Sequence, residues 1–327
     1  MDTNSTGIYF NQGINHSNKS VVIIIPTLNE EPTIGDLIDK IKLLNVDLKL
    51  SILVVDGGST DNTLDICRRK NVKFMIQKGK GKGNAMREAV DQTDADIVVF
   101  IDGDGTYSVA EIESLIEPLL EYKYDMVVGS RILGGSKREK GSIAGFNVLG
   151  NTIFNKTINF AMKSSITDSL SGYRALYAKT FKELILFSDS FEIEVEMTVE
   201  ALAKGFKILE VPISYSVRKG SYTKLNPLND GIRIAKSLLF ILMNVNPLKF
   251  FGLISLAFFA VGMYPGLYVL NEKIFTGEII SMPSVVFSSL LFVTGMISLV
   301  VGLLSELVVR SRRRIEYLIT KQGSGKY

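Results

Sequence analysis

The chain has 327 residues, 46% hydrophobic and 22% charged, and its 37 Lys and Arg against 34 Asp and Glu leave a net charge of +3. That balance excludes a disordered, collagen-like or histone-like protein, and it offers no basic surplus for nucleic acid as a partner. The single cysteine, Cys67, cannot close an internal bridge, so a disulfide framework is excluded and a reducing compartment fits.

Residues 1–19 are polar, rich in Asn and Ser and free of any apolar run. They are read as a flexible tail, not a signal peptide, with His16 a solvated tail residue. From residue 20, short Val/Ile-rich runs alternate with helical segments. The runs at 21–25, 51–55, 97–101 and 126–129 predict buried parallel strands, and 33–44, 62–70, 84–92 and 110–122 predict helices. Pro32 suits a first helical turn, and Ser108 with Glu111 has the spacing of a capping box. Cys67 falls in a predicted helix as a small packing residue. Alternation of this kind predicts an open α/β sheet, in which ligands bind beyond the carboxyl ends of the strands.

Polar turns follow those strands: Pro26-Thr27-Leu28-Asn29-Glu30, Asp56-Gly57-Gly58-Ser59-Thr60-Asp61, Lys78-Gly79-Lys80-Gly81-Lys82-Gly83 and Asp102-Gly103-Asp104-Gly105. Glycines let a backbone approach a bound group closely, and lysines beside a helix start favour phosphate. Four such turns in register point to an anionic nucleotide. Asp102 and Asp104 straddle Gly103 directly after a buried strand, a pairing suited to one hard divalent ion, Mg2+ or Mn2+, that also binds substrate phosphates. Further along, Glu192, Glu194 and Glu196 alternate with apolar residues, as a solvated strand face or as candidates for a base or an orienting group.

The segment 218–224, with Arg218, Lys219 and Lys224, is cationic and glycine-bearing, suited to clamping a phosphate. After it, 228–246 mixes Ile232, Leu238 and Ile241 with Asp230, Arg233 and Lys236, the pattern of an interfacial amphipathic helix. Two stretches, 250–270 and 279–305, carry no charge at all, and each is long enough to cross a bilayer. They predict a membrane hairpin over 247–310, with spans at about 250–270 and 282–305, followed by a basic tail at 311–327. Lys249 on one side and Arg310, Arg312, Arg313 and Arg314 on the other place both ends, and the domain at 20–227, on the cytoplasmic side of a cell membrane.

Five blocks carry a family resemblance: Pro-Thr-Leu-Asn-Glu at 26–30, Asp-Gly-Gly-Ser-Thr-Asp at 56–61, Gly-Lys-Gly-Asn-Ala at 81–85, Asp-Gly-Asp at 102–104 and Ser-Gly-Tyr-Arg at 171–174. In this order they resemble the family 2 glycosyltransferases of the GT-A fold. They are closer still to the dolichol-phosphate mannose synthase and polyprenyl-phosphate glycosyltransferase branch, over about residues 20–242, and the hairpin is typical of that branch.

The resemblance implies a mostly parallel sheet with helices on both faces. It also implies a nucleotide-sugar donor contacted by Pro26, Leu28, Glu30 and Asp56, with Lys82, Asp102 and Gly103 on the same side. Asp102 and Asp104 match the metal-binding pair, and Thr106 stands where some relatives have a further ligand. Arg131, Arg218 and Lys224 match residues that hold donor and acceptor phosphates, and with Asp104 they are the expected catalytic set. Asp168 and Arg174 fall in a block that lines the sugar pocket in relatives. Relatives usually carry a second Asp where this chain has Gly57, a departure that leans toward UDP-GlcNAc or UDP-glucose and away from GDP-mannose.

The acceptor this implies is a polyprenyl or dolichyl monophosphate in the lipid bilayer. A phosphate monoester, with its second pKa near ~6, is already anionic at neutral pH, so its oxygen needs no general base. The rivals are a processive polysaccharide synthase, disfavoured because its Gln-x-x-Arg-Trp motif needs a tryptophan this chain lacks, and a catalytically silent, membrane-tethered binding module.

Overall fold

A computed structural model describes residues 19–46, 48–134, 137–138, 145–190, 192–218, 243 and 246–323. The tail at 1–18, Lys224 and nearly all of the interfacial segment at 228–246 lie outside these residues. The chain divides into two compact units: Met1–Asn151 with Ile166–Lys224, and Thr152–Ser165 with Leu225–Tyr327.

The first unit is built on seven strands. β1 (Ser20–Thr27), β2 (Lys49–Asp56), β3 (Lys73–Ile76), β4 (Ile97–Phe100), β5 (Met126–Ser130), β7 (Arg174–Tyr177) and β8 (Ile208–Pro212) form one sheet in the order β3-β2-β1-β4-β7-β5-β8. Every pairing is parallel except the two made by β7. A separate parallel pair joins β6 (Lys137–Arg138) to β9 (Ser214–Tyr215). All four predicted strands are present, and the mostly parallel α/β architecture is the one expected.

Helices cover both faces because the strands are apolar on both. In β1, Val21, Ile23 and Ile25 pack with α1 (Glu31–Lys42) and α4 (Ile112–Leu120), while Val22 and Ile24 face α3 (Lys82–Asp91), α6 (Ala178–Glu183) and α7 (Ile193–Ala203). This two-sided burial explains why the runs read as continuous Val/Ile rather than alternating. α2 (Thr63–Arg69) supplies Cys67 to the first of these clusters. Pro32 occupies the first turn of α1 as expected. The capping box does not form: Ser108 makes no side-chain cap, because Glu111 Oε1 accepts the Ser214 N–H at 2.8 Å instead.

Register aligns the strand ends. Thr27 pairs with Asp56, Asp56 with Ile76, and Ile24 with Phe100, so the turns after β1 to β4 emerge at one edge. β7 runs the other way, with Arg174 opposite Phe100 and Val128. Its amino end, and the Asp168–Tyr173 segment before it, therefore arrive at that same edge. Nothing in the local sequence of 171–177 announces this reversal.

In the second unit, α8 (Pro247–Thr276) and α9 (Met282–Gly323) are long and apolar enough to cross a membrane over Pro247–Thr276 and Met282–Arg312. They pack as an antiparallel hairpin through small residues. A Cβ on Gly262 would meet Leu291 at 3.1 Å, one on Gly295 would meet Phe259 at 2.8 Å, and Ser288 Oγ donates to the Gly262 carbonyl at 2.9 Å. Close backbone approach is how helices associate where no hydrophobic drive separates lipid from side chain. Their outer surfaces leave Leu253, Leu267, Tyr268, Leu290 and Val293 exposed, an apolar area far beyond what a water-facing surface carries. Glu272 lies in the last turns of α8, where its carboxylate accepts the Ile280 and Ser281 N–H groups and so closes the connection. Thr152–Ser165, which takes in the second part of α5 (Gly145–Met162), belongs to this unit: Lys249 Nζ donates to the carbonyls of Phe160 and Ala161 at 3.0 and 3.2 Å.

Candidate active site

Two aspartates lead the turn after β4. Thr33 Oγ1 donates to the Gly103 carbonyl at 2.6 Å and pins the bend, while Thr106 gives its N–H and hydroxyl to Asp104 Oδ1 at 3.1 and 2.7 Å. Thr106 is thus buried as the support of Asp104, and its hydroxyl is committed there. A Cβ on Gly103 would lie 3.0 Å from Thr27, so the turn must pass close to β1.

Each aspartate belongs to a cation held between two carboxylates. Lys82 Nζ bonds Asp102 and sits 2.7 Å from Glu194 Oε1; both Lys82 and Glu194 are buried, Glu194 to 3% exposure. Arg218 bonds Glu30 and stands 3.6 Å from Asp104 Oδ2, with its own side chain well exposed. Burial works against the Lys82 charge, but Asp102 and Glu194 outweigh it and hold the ammonium well above the ordinary lysine value. Burial first, and then the charge of Asp102, raise the Asp104 carboxyl, against its bonds from Thr106. Glu30 is raised by burial in the same way, with Arg218 opposing.

Within these two ion-paired groups four carboxylates face two cations, and the buried Arg174 guanidinium offsets part of the excess through Glu194. Among the described residues no three His, Cys, Asp or Glu form a cage for an ion. Two hard carboxylates in a group with a negative excess suit Mg2+ or Mn2+, which keep waters and take phosphate oxygens as further ligands. Asp102 and Asp104 are the residues that fit it.

The Ser-Gly-Tyr-Arg block presses on this pair from β7. A Cβ on Gly172 would lie 2.6 Å from Lys82 Nζ and 3.0 Å from Asp102 Oδ2, so any larger residue must push the lysine or the aspartate aside. Its N–H donates to the Tyr107 hydroxyl at 3.1 Å. Arg174, expected near the sugar, is fully buried instead: it donates to the Ser171 and Ser169 carbonyls at 2.7 and 2.6 Å and to Thr198 at 2.9 Å. Burial pulls its guanidinium down to about 10, opposed by Glu194 and Asp168. It is scaffold, not pocket wall.

Arg131 follows β5 and is already engaged. Its Nε and one terminal nitrogen donate to both oxygens of buried Asp168, each at 2.8 Å, and the Tyr215 ring lies 5.2 Å from the guanidinium carbon. Asn151 Nδ2 adds a third side-chain bond to Asp168 at 3.0 Å. These bonds hold the Asp168 carboxyl below the usual range despite burial. Asp168 therefore aims Arg131.

Two expectations for the turns change. Asp56 is fully buried, and its oxygens accept bonds from the Gly58 and Ser59 N–H groups at 2.9 and 2.8 Å, so it shapes its own turn. Gly81 and Gly83 do not form an open phosphate cradle: a Cβ on Gly81 would strike the Asp189 carbonyl, and one on Gly83 the Ser188 carbonyl. They seat the 188–190 segment, and only Lys82 of that turn reaches the carboxylates. Leu28 stands 57% exposed at the rim. A Cβ on Gly57 would lie 3.2 Å from Gln77 Nε2 and 3.3 Å from the Thr27 carbonyl oxygen, so the turn packs tightly there.

The alternating pattern of Glu192, Glu194 and Glu196 does not separate the three, and the structure does. Glu192 ends as the residue before α7, Glu196 caps the Phe187 and Ser188 N–H groups, and Glu194 alone turns inward. Helical rather than strand periodicity makes that division, because residues two apart on a helix point in different directions.

Residues 22–185 match the family model of glycosyl transferase family 2. Glycosyltransferase AglJ of Haloferax volcanii is 37% identical over 308 residues, spanning 91% of this chain and 98% of its own. The dolichyl-phosphate hexose transferase of the same organism is 31% identical over 218 residues, spanning 67% and 92%. Glucosyl-3-phosphoglycerate synthase from Mycobacterium tuberculosis, solved with Mn2+ and uridine-diphosphate-glucose, shares the fold with a TM-score of 0.55 at 23% identity, over 68% of this chain and 79% of its own.

Proposed function

The chain belongs to glycosyl transferase family 2, and from that premise we propose that it transfers a sugar, with inversion, from a nucleotide-sugar donor to a polyprenyl or dolichyl monophosphate at the cytoplasmic face of a membrane. The donor is UDP-GlcNAc or UDP-glucose. The observation that carries this reading is the pairing of an Asp102/Asp104 carboxylate edge with Arg218, a well-exposed cation poised beside it, in a chain that also has two helices of membrane-crossing length. The name of one relative, a dolichyl-phosphate hexose transferase, supports the acceptor class.

Asp102 and Asp104 would hold Mg2+ or Mn2+, which when bound supplies positive charge to the leaving diphosphate. Glu30 and the turn that Asp56 shapes line the donor edge, with Pro26 and Leu28 at its rim. Gly172 keeps the sugar side clear of any side chain. Arg218 and Lys224 meet the acceptor phosphate, and Arg131, fixed by Asp168, presents a rigid guanidinium to phosphate oxygens. The acceptor oxygen is already charged at neutral pH, so the site needs no base beside the nucleophile.

The test is a panel of nucleotide sugars offered with dolichyl and undecaprenyl phosphate to the purified, detergent-solubilised protein. Release of nucleoside diphosphate only when both lipid phosphate and divalent metal are present is the expected result. Release without lipid points to another acceptor, and binding without turnover points to a silent module.

A further inference from the structure

Glu194 is buried in α7 with one oxygen 2.7 Å from Lys82 Nζ, and its other oxygen, Oε2, has no hydrogen-bond partner. A buried carboxylate oxygen without a donor is costly, and a place in the first turn of α7, where the helix dipole favours a carboxylate, offsets only part of that cost. Lys82 in turn lies on Asp102, the carboxylate expected to receive a divalent ion. Two cations on one carboxylate repel strongly in a buried setting. Gly172 limits where the ammonium can go: a methyl group added there would press on both Lys82 Nζ and the Asp102 oxygens. Glu194 offers a negative partner away from Asp102, and its open Oε2 can take a further N–H bond.

We propose that Glu194 is a positioning residue for the metal site, acting through Lys82: it is the counter-charge that draws the lysine off Asp102 when a divalent cation binds, and holds it close enough to return when the cation leaves. This rests on the reading of Asp102 and Asp104 as metal ligands. Lys82 then serves as a resident stand-in cation for Asp102. The arrangement keeps a cation beside Asp102 in both states, while Glu194 also lies in the field of the buried Arg174 guanidinium, so its charge has a second partner when Lys82 is shared with Asp102.

The experiment measures Mn2+ binding to the full-length protein by electron paramagnetic resonance, without substrate, for the wild type, Glu194→Gln, Lys82→Met and the double variant. Glu194→Gln keeps the size of the side chain and removes the charge, so Lys82 stays on Asp102 and Mn2+ affinity falls by about 10-fold, the factor set by ~1.4 kcal/mol of lost charge interaction. In the double variant no lysine competes, and affinity returns to the wild-type value or better. The metal concentration for half-maximal turnover in Glu194→Gln rises by the same factor.

A double variant as weak as Glu194→Gln would overturn the inference, because a merely structural role gives no rescue when Lys82 is removed. Equal Mn2+ affinity in the wild type and Glu194→Gln would overturn it too while leaving the metal reading intact. A wild type that binds no Mn2+ at all would reject both. A melting curve for each variant shows that the compared proteins are folded.

Discussion

The two carboxylate-cation-carboxylate groups at the sheet edge have the same charge pattern and opposite settings. Asp102–Lys82–Glu194 is enclosed, with Lys82 and Glu194 buried and Gly172 close to Lys82. Glu30–Arg218–Asp104 is open on the arginine side. A buried pair is held in place because breaking it strands a charge in a poor solvent, whereas an exposed pair is worth only about 0–1 kcal/mol and exchanges readily with water or phosphate. The enclosed group is thus suited to set the geometry of an ion. The open group is suited to let go of its own partners and meet an incoming phosphate.

Substitutions in the two groups should separate accordingly. Asp104→Ala, at the junction, should lower turnover by at least about three orders of magnitude, several kcal/mol of transition-state charge stabilisation, with the protein still in the membrane fraction. Normal turnover with unchanged metal dependence would reject the carboxylate assignment. Gly172→Ala strikes the enclosed group directly: its methyl must push Lys82 or Asp102 aside, and kcat should drop by about 100-fold from a misplaced ligand alone. A variant with wild-type kcat would mean the enclosed group tolerates displacement.

The open group should behave differently. Arg218→Ala should raise the KM for lipid phosphate by about 10-fold, the loss of one charge-assisted contact, with melting temperature and nucleotide binding nearly unchanged. An equal loss of donor affinity would place Arg218 on the donor instead. Smallest of all, replacing exposed Lys78 and Lys80 together by Ala should change kcat/KM for the donor by less than about 2-fold, as for other surface changes remote from the chemistry. A larger loss would restore the phosphate cradle that the packing of Gly81 and Gly83 argues against.

Much of this is legible in the chain. Continuous Val/Ile runs mark the strands because burial on both faces removes the polar positions, and the Asp-Gly-Asp turn stands out because paired carboxylates after a buried strand have few structural uses. The lysine turn misleads, since glycine's freedom serves a neighbouring carbonyl as readily as a phosphate, and the neighbour here, residues 188–190, is about a hundred positions away. Ser108 and Glu111 have the spacing of a cap, yet Glu111 meets a better donor in Ser214.

The layered α/β class, the carboxylate turn and two lipid-length helices are written in the amino-acid order, because they depend on hydrophobic period, local turn chemistry and segment length. Three-dimensional packing was needed to decide that β7 runs against its neighbours, that Asp168 holds Arg131, and that Glu194 rather than Glu192 or Glu196 faces Lys82. Each of these depends on contacts between residues distant in the chain, where the pairing is settled by which backbone can approach, as at Gly172, and by which buried charge finds an opposite one.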